Sequence, residues 1–190
     1  MPAEEMWRGF FEPGTVLAKL GLTADCECVV DFGCGYGTFS VPASSVVRGA
    51  VHALDIDPEM VEFTRNVAEQ QRLANLNVRQ RDFVEHGCGL VDGVADYAML
   101  FNILHATEAA SLLAEAKRVL KPMGKLGVMH WNYDPSTPRG PSMGIRLRPA
   151  QCMQMVEDAG FKVDGLIDLP PHHYGFVGMP LRSAKRPTQR

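Results

Sequence analysis

The chain has 190 residues with a formal charge of −3, of which 46% are apolar and 22% charged. That size and mix fit one domain with a full hydrophobic core and exclude wholesale disorder. No Lys/Arg run marks a phosphate-backbone footprint, which argues against nucleic acid as a partner, and no apolar run nears the roughly 20 residues that span a bilayer.

The N-terminal segment carries Met6, Trp7, Phe10 and Phe11 at helical spacing. Such a stripe serves either as packing for the domain or as a lid over a ligand, so residues 1–24 are expected to be a helical lid or packing segment before a core at 25–180. Glu4 and Glu5 stand where a signal peptide would be basic. Cys28 to Phe32 is a short apolar strand running into a glycine-rich turn, with a helix beginning near Thr38. Val51 to Asp55 is a second strand. Pro58 opens a helix at its first turn, where a fixed φ costs nothing, and Met60, Val61, Thr64, Val67 and Ala68 recur at helical spacing. Leu76 to Arg79 and Val94 to Phe101 read as the third and fourth strands.

A helix from about Ala106 to Leu120 ends at the turn Lys121-Pro122-Met123-Gly124, and Lys125 to Trp131 forms a fifth strand. The Pro/Gly/Ser-rich stretch from Asn132 to Met143 is a loop at the carboxyl edge of the sheet, where ligands bind in open α/β folds. Pro149 opens another helix, ended by Gly160. Phe161 to Leu169 and Tyr174 to Met179 close the sheet, and 181–190 is a flexible tail. Strands separated by helices of this length imply a doubly wound, mostly parallel sheet. Five scattered cysteines without paired spacing suit a reducing, cytoplasmic compartment and carry no zinc signature. The pair His172–His173 lacks carboxylate companions, so no metal is expected.

Asp31-Phe32-Gly33-Cys34-Gly35-Tyr36-Gly37 carries the most information. Closely spaced glycines after a strand let the backbone turn sharply and approach a ligand. The spacing is G-x-G-x-G, whereas a dinucleotide fingerprint reads G-x-G-x-x-G, with its third glycine where Thr38 stands. One strand–helix unit later comes Asp55, a two-oxygen acceptor suited to a pair of ribose hydroxyls or, alternatively, to a local cap.

These residues resemble the class I S-adenosylmethionine-dependent methyltransferases, and the resemblance runs from about Val29 to Val163. It looks closest to the small-molecule branch that includes quinone-biosynthesis methyltransferases. Asp31, Gly33, Gly35 and Gly37 match its D-x-G-x-G-x-G motif, which implies that this loop, Cys34 included, wraps the methionine part of the cofactor. The resemblance places Asp55 on the ribose and Ile56 and Met60 beside the adenine. Asp82 would accept from the adenine amino group, with Phe83 packed nearby, although Asp82 can equally be a turn residue. Phe101 and Asn102 would lie beside the methionine and the transferable methyl. The stretch from Glu115 to Leu126 matches the helix, turn and fifth strand that follow. The family also implies a seven-stranded sheet with an antiparallel strand inserted beside the fifth.

Catalytic candidates are the polar residues at carboxyl strand ends: His105, His130 and Tyr133. For both histidines a packing role stands beside that of a base. The expected function is methyl transfer from S-adenosylmethionine to a small-molecule acceptor. The alternatives are a non-catalytic cofactor-binding scaffold and an NAD-dependent oxidoreductase, the latter disfavoured by the glycine spacing and by Asp82.

Overall fold

The computed structural model describes residue 10 and residues 12–181. Met6, Trp7 and Phe11 of the aromatic stripe, and the tail beyond Leu181, lie outside the described residues. In chain order the elements are α1 (Pro13–Lys19), β1 (Cys28–Phe32), α2 (Ser40–Val46), β2 (Ala50–Asp55), α3 (Pro58–Gln70) and β3 (Leu76–Gln80). Then follow β4 (Ala95–Phe101), α4 (Ala109–Val119), β5 (Leu120–Trp131), α5 (Pro149–Asp158), β6 (Phe161–Val163), β7 (Ile167–Leu169) and β8 (His173–Pro180).

Seven strands lie on one path, β3-β2-β1-β4-β5-β8-β6, and the short β7 adds to β8. β1 to β5 pair in parallel, while β8 runs antiparallel to β5 and is inserted between β5 and β6. This is the Rossmann-like methyltransferase architecture expected from the sequence. The stretch Phe161 to Leu169 is interrupted where a single strand was expected. β6 and β7 both follow the same side of β8. The chain leaves the ladder around Gly165, after the Asp164 amide has donated to Val177 O at 2.9 Å. The expected turn at Lys121–Gly124 is a bulge within β5. The ladder jumps from Ala95↔Leu120 to Tyr97↔Lys125, absorbing the proline, which has no N–H to offer.

Side chains of the central strands alternate between two apolar cores, and all five positions of β1 are buried. Val30, Phe32, Ala98, Leu100 and Val128 face α4 and α5, where Leu112, Leu113, Ala116 and Val156 pack. Val29, Tyr97, Met99 and Met129 face the other way, onto Val16 and Leu17 of α1, its C-cap Leu20 and Ala43 of α2. The Asp96 carboxylate ties three segments together. Its Oδ2 accepts from the amides of Glu27 and Cys28 at 2.9 and 3.0 Å, and its Oδ1 accepts from Lys121 Nζ at 2.7 Å.

Tyr97, fully buried, donates its hydroxyl to Leu20 O at 2.9 Å, which anchors α1 to the sheet. It fits because β5 carries Gly127 two residues beyond Lys125, the register partner of Tyr97; a Cβ at Gly127 would overlap the Tyr97 hydroxyl. Gly127→Ala is therefore expected to destabilise the fold by about 1–3 kcal/mol, the usual cost of overpacking. The thermal midpoint measures this, and adding Tyr97→Phe to the alanine variant should recover part of the loss.

Candidate functional site

The order of β1 reverses the direction of winding: β2 lies on one side of it and β4 on the other. Open α/β sheets bind ligands at the carboxyl ends of the strands flanking such a switch point. A cavity of about 540 Å³ opens there. One wall is the glycine turn with Asp31, Gly33, Cys34 and Gly35; the floor is Phe101, Asn102 and His105 at the end of β4; Trp131 and the strap Pro138–Pro141 form the far wall.

The turn is held by backbone geometry. Gly33, Gly35 and Gly37 take φ of +81°, +51° and +73°, a region closed to most side chains. The amides of Gly33 and Cys34 both donate to Leu54 O, at 2.8 and 2.9 Å. A Cβ at Gly37 would come within 2.8 Å of Thr64 Cγ2, and the Thr64 hydroxyl itself donates to Gly35 O at 2.7 Å. Glycine is thus required both for the turn and for the approach of α3.

Asp55 braces the same turn. Its Oδ2 accepts from the Gly35 amide at 2.8 Å and its Oδ1 from the Asp57 amide at 3.0 Å. Each oxygen keeps a second lone-pair direction for a ligand. Asp57 caps α3 by accepting from the Glu59 amide at 2.9 Å. Asp31 is almost wholly buried and accepts from the Ser40 hydroxyl. Burial, reinforced by Asp55 and partly offset by Ser40, pushes its carboxyl up to about 7.

The residues expected around adenine gather at the ends of β2 and β3, outside the cavity wall. Ile56 is 58% exposed, whereas Met60 is turned into the core at 5%. Asp82 Oδ1 accepts from the amides of Val84 and Glu85 at 3.0 and 2.9 Å, the geometry of a turn cap. Phe83 is buried edge-on against Phe32, ring centroids 5.4 Å apart.

At the floor, Asn102 adopts φ +56°, and its buried Oδ1 has no hydrogen-bond partner among the described residues. His105 lines the cavity with a buried, unpartnered Nδ1, and burial lowers its pKa. Native interiors rarely leave such groups unsatisfied, so both stand out at the cavity floor. His130 lies behind, wholly buried, its ring edge-on to His105 at 5.6 Å and stacked on Tyr174 at 6.0 Å. Tyr133 is not brought to the site. It follows β5 on the surface, with the Arg148 guanidinium 3.8 Å over its ring. Phe10, of the N-terminal stripe, meets Trp131 at 5.8 Å and His172 at 5.6 Å.

Burial, with His105 and Arg146 adding positive charge nearby, pushes His130 down to about 4. Its folded value lies below the ordinary 6.5, so the unfolded chain binds the proton first as pH falls. The stability held above about pH 6.5 is expected to drain as pH drops toward about 4, a slope shared by His173, which burial takes to about 3. Thermal midpoints measured across that window should fall less steeply in His130→Phe than in the parent chain.

Sequence reasoning placed the loop from Asn132 to Met143 at the ligand-binding edge of the sheet but did not find its organiser, Arg146. That side chain is 7% exposed and donates to the carbonyls of Asn132, Asp134, Arg139 and Pro141 and to the Thr137 hydroxyl. A lone arginine in an aperiodic segment gives no pattern from which this could be read.

Residues 29–124, just over half of the chain, match a family model described as a methyltransferase domain. The aklanonic acid methyltransferase DauC of Streptomyces sp. (strain C5) is 31% identical over 125 residues, 62% of this chain and 54% of that protein. An uncharacterised 37.1 kDa protein in transposon TN4556 of Streptomyces fradiae is 34% identical over 122 residues, 63% of this chain and 34% of that protein. The chain thus spans between a third and about half of the length of these curated relatives. Among solved structures, a SAM-dependent methyltransferase from Aquifex aeolicus superposes with a TM-score of 0.82 at 27% identity, covering 90% of this chain and 91% of that one.

Proposed function

The chain belongs to the methyltransferase-domain family, and from that premise we propose that it transfers the methyl group of S-adenosylmethionine to a small-molecule acceptor. The observation that carries this reading is the cavity at the switch point, bounded by the glycine turn on one side and by the strap on the other. The residues suit the cofactor chemically. Asp31 and the unpartnered Asn102 Oδ1 offer oxygens to an ammonium, the Asp55 carboxylate has lone pairs to spare for a vicinal diol, and exposed Ile56 offers an apolar face to a purine.

When bound by the glycine turn, Asp31, Asp55 and Asn102, the cofactor would supply an activated, electrophilic methyl group. The chain's share is positioning and exclusion of water, which account for much of a methyl displacement. Phe39, Phe101 and Trp131 supply apolar walls. His105, whose burial lowers its pKa and favours the neutral imidazole, takes a proton from the acceptor in this reading. His130 supports the His105 ring from behind, and Tyr133 has no part in the site.

A small acceptor is favoured by the cavity's size and by the strap across it; DauC, by its name, methylates aklanonic acid. Among the described residues no helix is long and apolar enough to cross a membrane, and all five cysteines are free and buried, which supports a cytoplasmic setting. Calorimetric titration with S-adenosylmethionine, S-adenosylhomocysteine and NAD tests the reading. Binding of both sulfur nucleotides without NAD is expected, and binding of NAD alone would overturn it.

A further inference from the structure

Behind the cavity floor, two buried ring nitrogens lack hydrogen-bond partners among the described residues: His105 Nδ1 and His130 Nε2. The two rings are neighbours, one edge-on to the other with centroids 5.6 Å apart. Native interiors seldom tolerate one such atom, and here two lie on adjacent rings. Their chemistry is complementary. His130 Nδ1 is 3.4 Å from Trp131 O, and a carbonyl only accepts, so the hydrogen of this neutral ring sits on Nδ1. Its Nε2 is then a lone-pair acceptor. His105 lines the cavity, and for its Nε2 to take a proton there its own hydrogen must sit on the buried Nδ1. An unmet donor adjoins an unmet acceptor.

His130 is the anchored member of the pair. It is wholly buried on β5, stacked on its cross-strand partner Tyr174, whose hydroxyl donates to Leu147 O at 3.1 Å. His105 lies half-buried in the turn after β4, and rotation of a ring about its bond to Cβ is soft. The other groups around His130 leave its Nε2 unmet. Arg146 is committed to the strap carbonyls, His173 is kept neutral by burial, and burial keeps the Tyr174 hydroxyl protonated. Burial also pushes His130 down to about 4, so a proton reaching the pair stays on His105.

We propose that His130 is a positioning residue: when His105 Nε2 takes the acceptor's proton, the Nδ1–H of the resulting imidazolium turns onto His130 Nε2 and is held there. The electron pair of the broken bond to hydrogen stays on the acceptor atom, and no proton passes beyond His105. A hydrogen bond to the charged form favours that form, so His130 strengthens the base when it is used. Such bonds are often misaligned until the reacting complex forms. The inference rests on the methyl-transfer reading, in which His105 is the proton acceptor.

NMR of the side-chain nitrogens, in protein carrying isotopically labelled histidine and saturated with S-adenosylhomocysteine, follows both rings from about pH 8 to about pH 5. As His105 charges, its Nδ1–H is expected to exchange slowly with water and to show scalar coupling to His130 Nε2. His130→Phe keeps an aromatic ring against Tyr174 but removes the acceptor, and the proton affinity of His105 should fall about tenfold or more. His130→Gln, whose amide oxygen can accept, should restore it to within about threefold of the parent. A neutral His105 with its hydrogen on Nε2, an uncoupled Nδ1–H, or an unchanged His105 midpoint in His130→Phe would each overturn the proposal. If the variants do not fold, the coupling in the parent chain decides alone. Failure of the parent chain to bind S-adenosylhomocysteine, read by calorimetry, is a distinct result that overturns the methyl-transfer reading and with it this role for the pair.

Discussion

Asp55→Ala is expected to weaken S-adenosylhomocysteine binding roughly thirty- to a hundredfold. The carboxylate is proposed to receive two hydroxyls, and hydrogen bonds to a charged group contribute about 1.5–3 kcal/mol each before compensation by water. A net loss of about 2–2.7 kcal/mol corresponds to that range of affinity. The variant should also lose stability without ligand, because the Gly35 amide, buried in the turn, forfeits its 2.8 Å bond to Oδ2. Calorimetry gives the first effect and the thermal midpoint the second. Asp55→Asn separates them, since one amide oxygen can still hold one backbone N–H but cannot replace a two-oxygen acceptor. If Asp55→Ala loses stability yet binds within threefold of the parent, Asp55 is a brace for the turn and nothing more.

The parts of the fold that local chemistry dictates were legible in the residues alone. Gly33, Gly35 and Gly37 marked the turn because their positive φ is closed to other residues. Pro58 and Pro149 marked helix starts that α3 and α5 keep. The alternation of strands and helices gave the winding, and the family resemblance gave the antiparallel strand beside β5. What failed to show was long-range. Nothing about Tyr133 in sequence says that Arg148 covers it. Met60, in the apolar stripe of α3, turns inward while Ile56 stays out, a split that the family resemblance did not carry. The interruption between β6 and β7 depends on pairing with β8, which lies further along the chain. The strap has no periodicity, so its place across the cavity follows only from contacts that Arg146 makes with residues 5 to 14 positions away.

Those contacts set the largest effect expected on the acceptor side. Arg146→Met should keep most of the apolar bulk while removing every donor that reaches Asn132, Asp134, Thr137, Arg139 and Pro141. The freed carbonyls lie on an exposed loop where water can replace the guanidinium, so the global cost is expected to stay on the order of 2 kcal/mol. The strap itself should loosen. Hydrogen exchange at the amides of Asp134, Ser136 and Thr137, which now bond within the loop leading into the strap, is expected to accelerate at least tenfold. Acceptor turnover should fall about a hundredfold, the scale of a 1 Å misplacement of a wall remote from the reacting atoms. S-adenosylhomocysteine affinity should remain within a few-fold, because none of the Arg146 hydrogen bonds reaches the glycine turn. Arg146→Lys should recover little, since an ammonium is a point donor and cannot span carbonyls that a planar fork reaches at once. Unchanged exchange in Arg146→Met would mean that the strap holds its shape through its own turns, with the buried guanidinium a passenger.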